Sequence, residues 1–147
     1  MFASIVVGTD GSDTASEAVR QAVELAARLG AQLHIVGAYE PVAEARPREE
    51  ALQAPADLQW IVNPREDLDV TLRDAWEEVR RAGVQAETYA RQGDPADAIL
   101  GVAEEQGADL IVVGNKGMTG ARRFLLGSVP NRVSHHAPCS VLIIRTT

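Results

Sequence analysis

The sequence predicts an α/β protein, a doubly wound sheet of five parallel strands with helices on both faces. Three observations predict it. Short apolar, β-branched runs alternate along the chain with longer segments whose apolar residues recur at helical spacing. The runs at residues 4–9, 109–114 and 139–145 are nearly continuous in apolar residues, as strands covered on both faces are. The segments between runs are long enough for the crossovers that parallel strands require.

The elements follow in order. Residues 4–9 form a strand that ends at the turn cluster Asp10, Gly11 and Ser12. Ser12 or Asp13 caps a helix with a stripe of Ala15, Ala18, Val19, Ala22, Ala26 and Leu29, and Gly30 stops it. Residues 31–39 form the second strand, with His34 in a structural role. Residues 40–63 carry Pro41, Pro47 and Pro55 among mixed charges. So long a connection is a lid, a binding loop or a disordered segment, and the residues leave that choice open. A helix runs from Pro64 to Gly83 on Leu68, Leu72, Ala75, Trp76 and Val79, and residues 84–90 alternate as a third strand. Asp94 then caps a helix with Pro95 at its first position and Ala96, Ile99, Leu100 and Ala103 inward. The fourth strand is 109–114, a helix covers 129–136, and the fifth strand is 139–145.

Bulk properties narrow the function. At 147 residues, one domain spanning 1–147 is expected. The net charge of −7 argues against nucleic acid and against anionic membrane surfaces, so a bound anion must be held by local donors. The single cysteine, Cys139, permits no internal disulfide, suits a reducing compartment, and reads as a buried small hydrophobe. The N-terminus has no signal-peptide pattern, and no apolar run approaches the roughly 18 residues of a membrane span. The expectation is a soluble cytoplasmic protein.

The segment 114–128 carries the most chemistry. It follows a buried strand, precedes a helix, and holds Gly114, Gly117, Gly120, Gly127 and Ser128. Glycines let backbone N–H groups turn toward one concavity, and a helix N-terminus adds free N–H groups and a positive dipole end. The segment therefore reads as a phosphate cradle; a flexible connector with an ordinary Ser cap is the competing reading. Neither the P-loop spacing nor the dinucleotide fingerprint occurs. Lys116 either meets a phosphate or is solvated. Arg122 and Arg123 read as surface residues, and the adjacent His135 and His136 point apart on a helix and make no metal pair. Pro130 removes one N–H from the last helix's first turn. Trp60 and Trp76 read as packing for the long connection and its helix.

The spacing Gly-x2-Gly-x9-Gly-Ser, on Gly114, Gly117, Gly127 and Ser128, resembles that of the universal stress protein family. So do the opening Val6-Val7-Gly8-Thr9-Asp10-Gly11-Ser12 and the tail from Gly127 through Ile143. The resemblance covers nearly all of the chain except residues 40–63. It implies strand order 3-2-1-4-5, as in adenine nucleotide alpha hydrolase-like folds. It also implies an adenine-nucleotide site. Gly8, Thr9 and Asp10 would lie at the end of strand one, with Asp10 toward the ribose or a phosphate-bound Mg²⁺; by itself Asp10 also reads as a turn cap. Ala38 would meet the adenine edge through its backbone. Val113, Gly114, Asn115, Lys116, Gly117, Gly127, Ser128 and Val129 would surround the phosphates. The implied ligand is ATP, with Mg²⁺, or cyclic AMP. The implied assembly is a homodimer through the last strand, 139–145, whose unpaired edge invites pairing.

Function is thus expected as a nucleotide-dependent stress-response or signalling module. A slow ATP hydrolase is the enzymatic alternative, but no general base beyond Asp10 and no arginine finger can be placed, so no catalytic residue is assigned. A phosphoacceptor receiver domain would need an Asp ending a middle strand; strand three instead runs into Tyr89-Ala90-Arg91-Gln92-Gly93, and Asp94 reads as a helix cap.

Overall fold

The structure, a computed structural model, describes residues 1–39, 64–115 and 128–146. Among the described residues nine elements alternate: β1 (Ser4–Gly8), α1 (Asp13–Leu29), β2 (Gln32–Tyr39), α2 (Pro64–Arg81), β3 (Ala86–Gln92), α3 (Pro95–Glu105), β4 (Leu110–Gly114), α4 (Ser128–His136) and β5 (Ser140–Ile144). The five strands form one parallel sheet in the order β3-β2-β1-β4-β5. This is the doubly wound α/β class and the strand order that the resemblance implied.

Local chemistry sets the helix limits. Ser12 caps α1, its hydroxyl accepting from the Ala15 N–H at 3.3 Å. Gly30 ends α1 in the left-handed region (φ 66°), where a side chain would be strained. Asp94 caps α3 through the Asp97 N–H at 3.1 Å, with Pro95 in the first turn.

Two cores sandwich the sheet. On one face Ile5, Val7, Leu33, Ile35, Leu110 and Val112 meet the buried stripes of α1 and α2. On the other, Val6, Val36, Ile111 and Val113 meet α3 and α4. At the start of the central strand pair, the Asp109 carboxylate accepts from the N–H groups of Ala3 (2.9 Å) and Ser4 (3.1 Å), which fixes β1 beside β4. Helix α2 lies close on β2 because Gly37 has no Cβ; one built there would stand 2.3 Å from Leu68 Cδ1.

Two expectations are corrected. The third strand is displaced from 84–90 to Ala86–Gln92. Val84 is buried, but its N–H bonds the carbonyl of Val79 at the end of α2, and pairing begins where the Leu33 N–H reaches the Gln85 carbonyl at 2.9 Å. The fifth strand is not covered on both faces. It is a sheet edge, with Leu142 39% and Ile143 36% exposed. Its flanking Cys139 is half-buried against the α3–α4 core. Trp76 packs at the opposite edge, its indole N–H donating to the Ala86 carbonyl at 3.1 Å. The segment 40–63, with Trp60, lies outside the described residues.

His34 is a buried titratable side chain, 2% exposed, on β2. The Tyr89 hydroxyl donates to Glu87 Oε2 at 2.8 Å, so its oxygen accepts from His34 Nδ1–H at 2.9 Å. Burial lowers the imidazole's pKa from its ordinary 6.5, against a smaller upward pull from Glu87. Burial and the bond to Glu87 push the Tyr89 hydroxyl up to about 12.

Two predictions follow from this packing. Gly37→Ala forces a methyl against Leu68, whose Cγ and Cδ2 also stand at 3.1 and 3.2 Å. It should destabilise by about 1–3 kcal/mol in urea unfolding. Gly101→Ala, in α3 with nothing within 4 Å of a built Cβ, should stabilise by about 0.5–1 kcal/mol in the same assay. The second concerns pH. The folded state resists protonating His34, so the stabilisation from its neutral form is complete above the unfolded value near 6.5 and is lost as pH falls through the lower folded value. His34→Gln should flatten the fall in melting temperature just below that pH. Parallel curves for the two proteins would show that His34 is uncoupled from stability.

Candidate functional site

The sheet reverses its winding between β1 and β4. These strands are neighbours, yet the helix after β1 packs on one face and the helix after β4 on the other. Such a reversal leaves a crevice beyond the carboxyl ends of the two strands. Gly8, Val113 and Gly114 form its floor. Thr14 and Ala15 from the first turn of α1 line one side, and Val129 from the first turn of α4 and Ile99 from α3 line the other. The N-termini of two helices therefore border one hollow. Both helices point the positive ends of their dipoles toward it, and at α1 the Ser12 hydroxyl already takes the Ala15 N–H.

The β1 exit is tightly determined. The Thr9 N–H donates to the Val36 carbonyl at 2.9 Å, extending the β1–β2 ladder by one residue. The buried Thr9 hydroxyl accepts from the Gly11 N–H at 3.1 Å. Asp10 is exposed, and one carboxylate oxygen accepts from the Ser12 N–H at 2.9 Å. That bond makes the turn-cap geometry and holds a carboxylate at the crevice rim, where its remaining lone pairs can accept hydroxyls or meet a hard cation. Among the described residues, no group of three or more His, Cys, Asp and Glu side chains is arranged to hold a metal ion.

Charge separates this crevice from a neighbouring cleft of about 200 Å³ between α1 and α2. Thr9, Gly11 and Thr71 line that cleft together with the carboxylates of Asp74 and Glu78. Two carboxylates oppose an anion. The described lining of the β1–β4 crevice is glycine backbone and apolar or hydroxyl side chains, with no carboxylate, so it opposes an anion less.

The remaining expected residues fall as follows. Ala38 lies on β2, two residues beyond the Gly8–Val36 register pair, and packs on the α3 face. Asn115 leaves β4 with its N–H on the Ile144 carbonyl (2.8 Å), while its side-chain oxygen accepts from Thr146. Ser128 opens α4 and is exposed, and Val129 and Pro130 are buried behind it. Arg132 bridges α4 to the start of α3, reaching Asp97 at 2.8 Å and Asp94 at 3.4 Å, so its charge is matched by α3 carboxylates. Lys116, Gly117, Gly127, Arg122 and Arg123 lie outside the described residues. Sequence reasoning passed over Thr14, Ala15 and Ile99, which line the crevice, and Thr146 at its rim. Thr14 and Ala15 were recoverable, since they sit directly after the Ser12 cap at the β1 exit.

Comparisons with known proteins bear on the family and the fold. A family model, that of the Universal stress protein family, matches residues 1–145. The universal stress protein Rv1636 of Mycobacterium tuberculosis is 39% identical over 147 residues, covering 99% of this chain and 98% of the relative. The universal stress protein YxiE of Bacillus subtilis is 38% identical over 149 residues, covering 99% and 100%. Among solved structures, a universal stress protein in complex with cAMP aligns with TM-score 0.73 at 34% identity, covering 99% of this chain and 98% of that one. The universal stress protein from Archaeoglobus fulgidus in complex with dAMP aligns with TM-score 0.69 at 26% identity, covering 98% of each chain.

Proposed function

This chain belongs to the universal stress protein family, and from that premise we propose that it binds an adenine nucleotide in the crevice between β1 and β4 and acts as a nucleotide-dependent stress-response or signalling module. The observation that carries the proposal is the hollow at the winding reversal, floored by Gly8 and Gly114 and bordered by two helix N-termini. The 34%-identical neighbour solved with cAMP and the 26%-identical one solved with dAMP support an adenine nucleotide as occupant.

In this reading the adenine edge meets the backbone at Ala38, and Asp10 accepts ribose hydroxyls. Gly8, Val113 and Gly114 form the floor, with Thr9 following Gly8 at the β1 exit. Backbone N–H groups at Gly114, Gly117, Gly127, Ser128 and Val129 hold the phosphates, with Lys116 adding charge and Asn115, whose own N–H is taken by the Ile144 carbonyl, beside them. ATP is the first ligand to test, since a glycine-rich segment followed by a helix N-terminus offers donors for more than one phosphate. Mg²⁺ would come with those phosphates and take an oxygen of Asp10, neutralising charge that an acidic protein repels. Cyclic AMP is the second reading, favoured by the neighbour that holds it. Hydrolysis would have to use Asp10 as its base, and the role proposed here is binding.

We also propose a homodimer through β5. Its outer edge carries unpaired backbone groups, and Leu142 and Ile143 expose apolar surface beside it. Among the described residues no helix is long and apolar enough to cross a membrane. The proposed setting is the cytoplasm, where adenine nucleotides are abundant and Cys139 stays reduced.

Two tests follow. Protein purified without added nucleotide should release ATP or cyclic AMP by mass spectrometry, and calorimetry with each, with and without Mg²⁺, should rank them. Gly114 lies outside the positive-φ region, and a Cβ there would meet its neighbours at 3.5 Å or more. Gly114→Ala should therefore keep its urea midpoint while binding nucleotide roughly tenfold or more weakly, as should Gly117→Ala and Gly127→Ala. Undiminished affinity in all three would overturn the site. For the dimer, light scattering at micromolar concentration should give twice the chain mass, and Leu142→Asp should halve it. A wild-type monomer would overturn the β5 interface.

A further inference from the structure

Gly114 and Ile144 are the last register pair between β4 and β5, and the chain is nevertheless held for two residues more. The Asn115 N–H donates to the Ile144 carbonyl at 2.8 Å. The Asn115 side-chain oxygen then accepts twice from Thr146, from its N–H at 2.9 Å and from its hydroxyl at 3.0 Å. Both bonds are partly shielded from water and join residues 31 apart in sequence. The side chain of Asn115 thus does the work of a further strand partner and stitches the tail after β5 to the exit of β4.

The stitch lies at the crevice. A Cβ on Gly114, which forms the crevice floor, would stand 3.5 Å from the Thr146 methyl and 3.8 Å from the carbonyl of Thr14, a residue of the crevice wall. Thr146 and the first turn of α1 thus flank Gly114. Ordering the residues after β5 costs conformational entropy that the β4–β5 ladder does not recover beyond Ile144, and two bonds to one carboxamide oxygen offset it.

The geometry points to Asn115 and Thr146 as a positioning pair: the latch between them makes the C-terminal tail one wall of the crevice and sets how firmly Gly114 is presented to the bound anion. This rests on the nucleotide reading above and deepens it. Asn115 acts here through its side-chain oxygen on Thr146, and a residue beyond the last strand tunes affinity without touching the ligand. By linkage, a ligand that needs the latched form must also tighten the latch.

The test is a Thr146 series titrated with ATP-Mg²⁺ and with cyclic AMP by calorimetry, each variant's melting temperature being measured alongside. Thr146→Ser keeps both bonds and should bind as wild type does. Thr146→Val loses the hydroxyl bond, and Thr146→Pro loses the hydroxyl and the N–H. These two should weaken the better-bound nucleotide by roughly three- to tenfold, with Pro at the upper end. Combining Thr146→Val with Asn115→Ala should weaken it no more than Asn115→Ala alone, because both remove one interaction. In wild type, nucleotide should slow hydrogen exchange at the Thr146 amide. Melting temperatures that fall while affinity holds would make the latch merely structural and overturn the inference, as would independent, additive losses. A wild-type protein that binds neither nucleotide would be recognised before any variant is made; it would overturn the nucleotide reading, and this inference with it.

Discussion

The handedness of parallel crossovers governs everything else in this molecule. A strand, a helix and a parallel neighbouring strand join right-handedly, so the direction in which the chain steps across the sheet decides which face the helix covers. From β1 the chain steps outward to β2 and then β3, and α1 and α2 share one core. It then crosses back over β2 and β1 through α3 and steps the other way to β5, so α3 and α4 share the opposite core. The reversal lies between β1 and β4. Helices leaving those two strands diverge, and the hollow between them follows from topology before any side chain is considered.

The proposed anion must be reconciled with an acidic protein. The net charge of −7 sets an unfavourable background field. Side-chain cations are not what opposes it among the described residues near the crevice: Arg132 is occupied by Asp94 and Asp97. What favours an anion there is the positive ends of two helix dipoles, held in place by the helices themselves. The acidic side chains of α2, Asp74 and Glu78, are kept in the adjoining cleft on the far side of Thr9 and Gly11. Fixed dipoles inside the crevice and repulsive charge outside it favour one position for a phosphate.

Much of this was legible from sequence, because the signals were local. Ser12 and Gly30 bracket α1, and Asp94-Pro95 opens α3, by capping chemistry confined to a few residues. The continuous apolar runs of β1 and β4 marked the central strands. Pattern misled at both edges of the sheet. Edge strand β3 is half exposed, so its alternation is weak, and the apolar Val84 drew the expected strand two residues early although it closes the turn after α2. In β5 an apolar run is the same letter string whether a helix or a second molecule covers it, so its exposed side could not be read from composition. Of the candidate site, the β1 exit and the start of α4 followed from strand ends and caps. The roles of Ile99 and Thr146 depend on contacts between residues distant in sequence, which no periodicity records.

The glycines show which residues answer to the fold and which do not. Gly30 needs a left-handed backbone, and Gly37 lets Leu68 press onto the sheet; either requirement would select glycine in a protein that bound nothing. Gly114 has neither reason. Its backbone lies outside the positive-φ region and a methyl would find ordinary contacts, while glycine within a strand gives up stability. A glycine that is unfavourable for the strand and unforced by its neighbours leaves its backbone open to closer approach than a side chain would allow. At the exit of β4, between two helix N-termini, the empty side of Gly114 is the crevice itself.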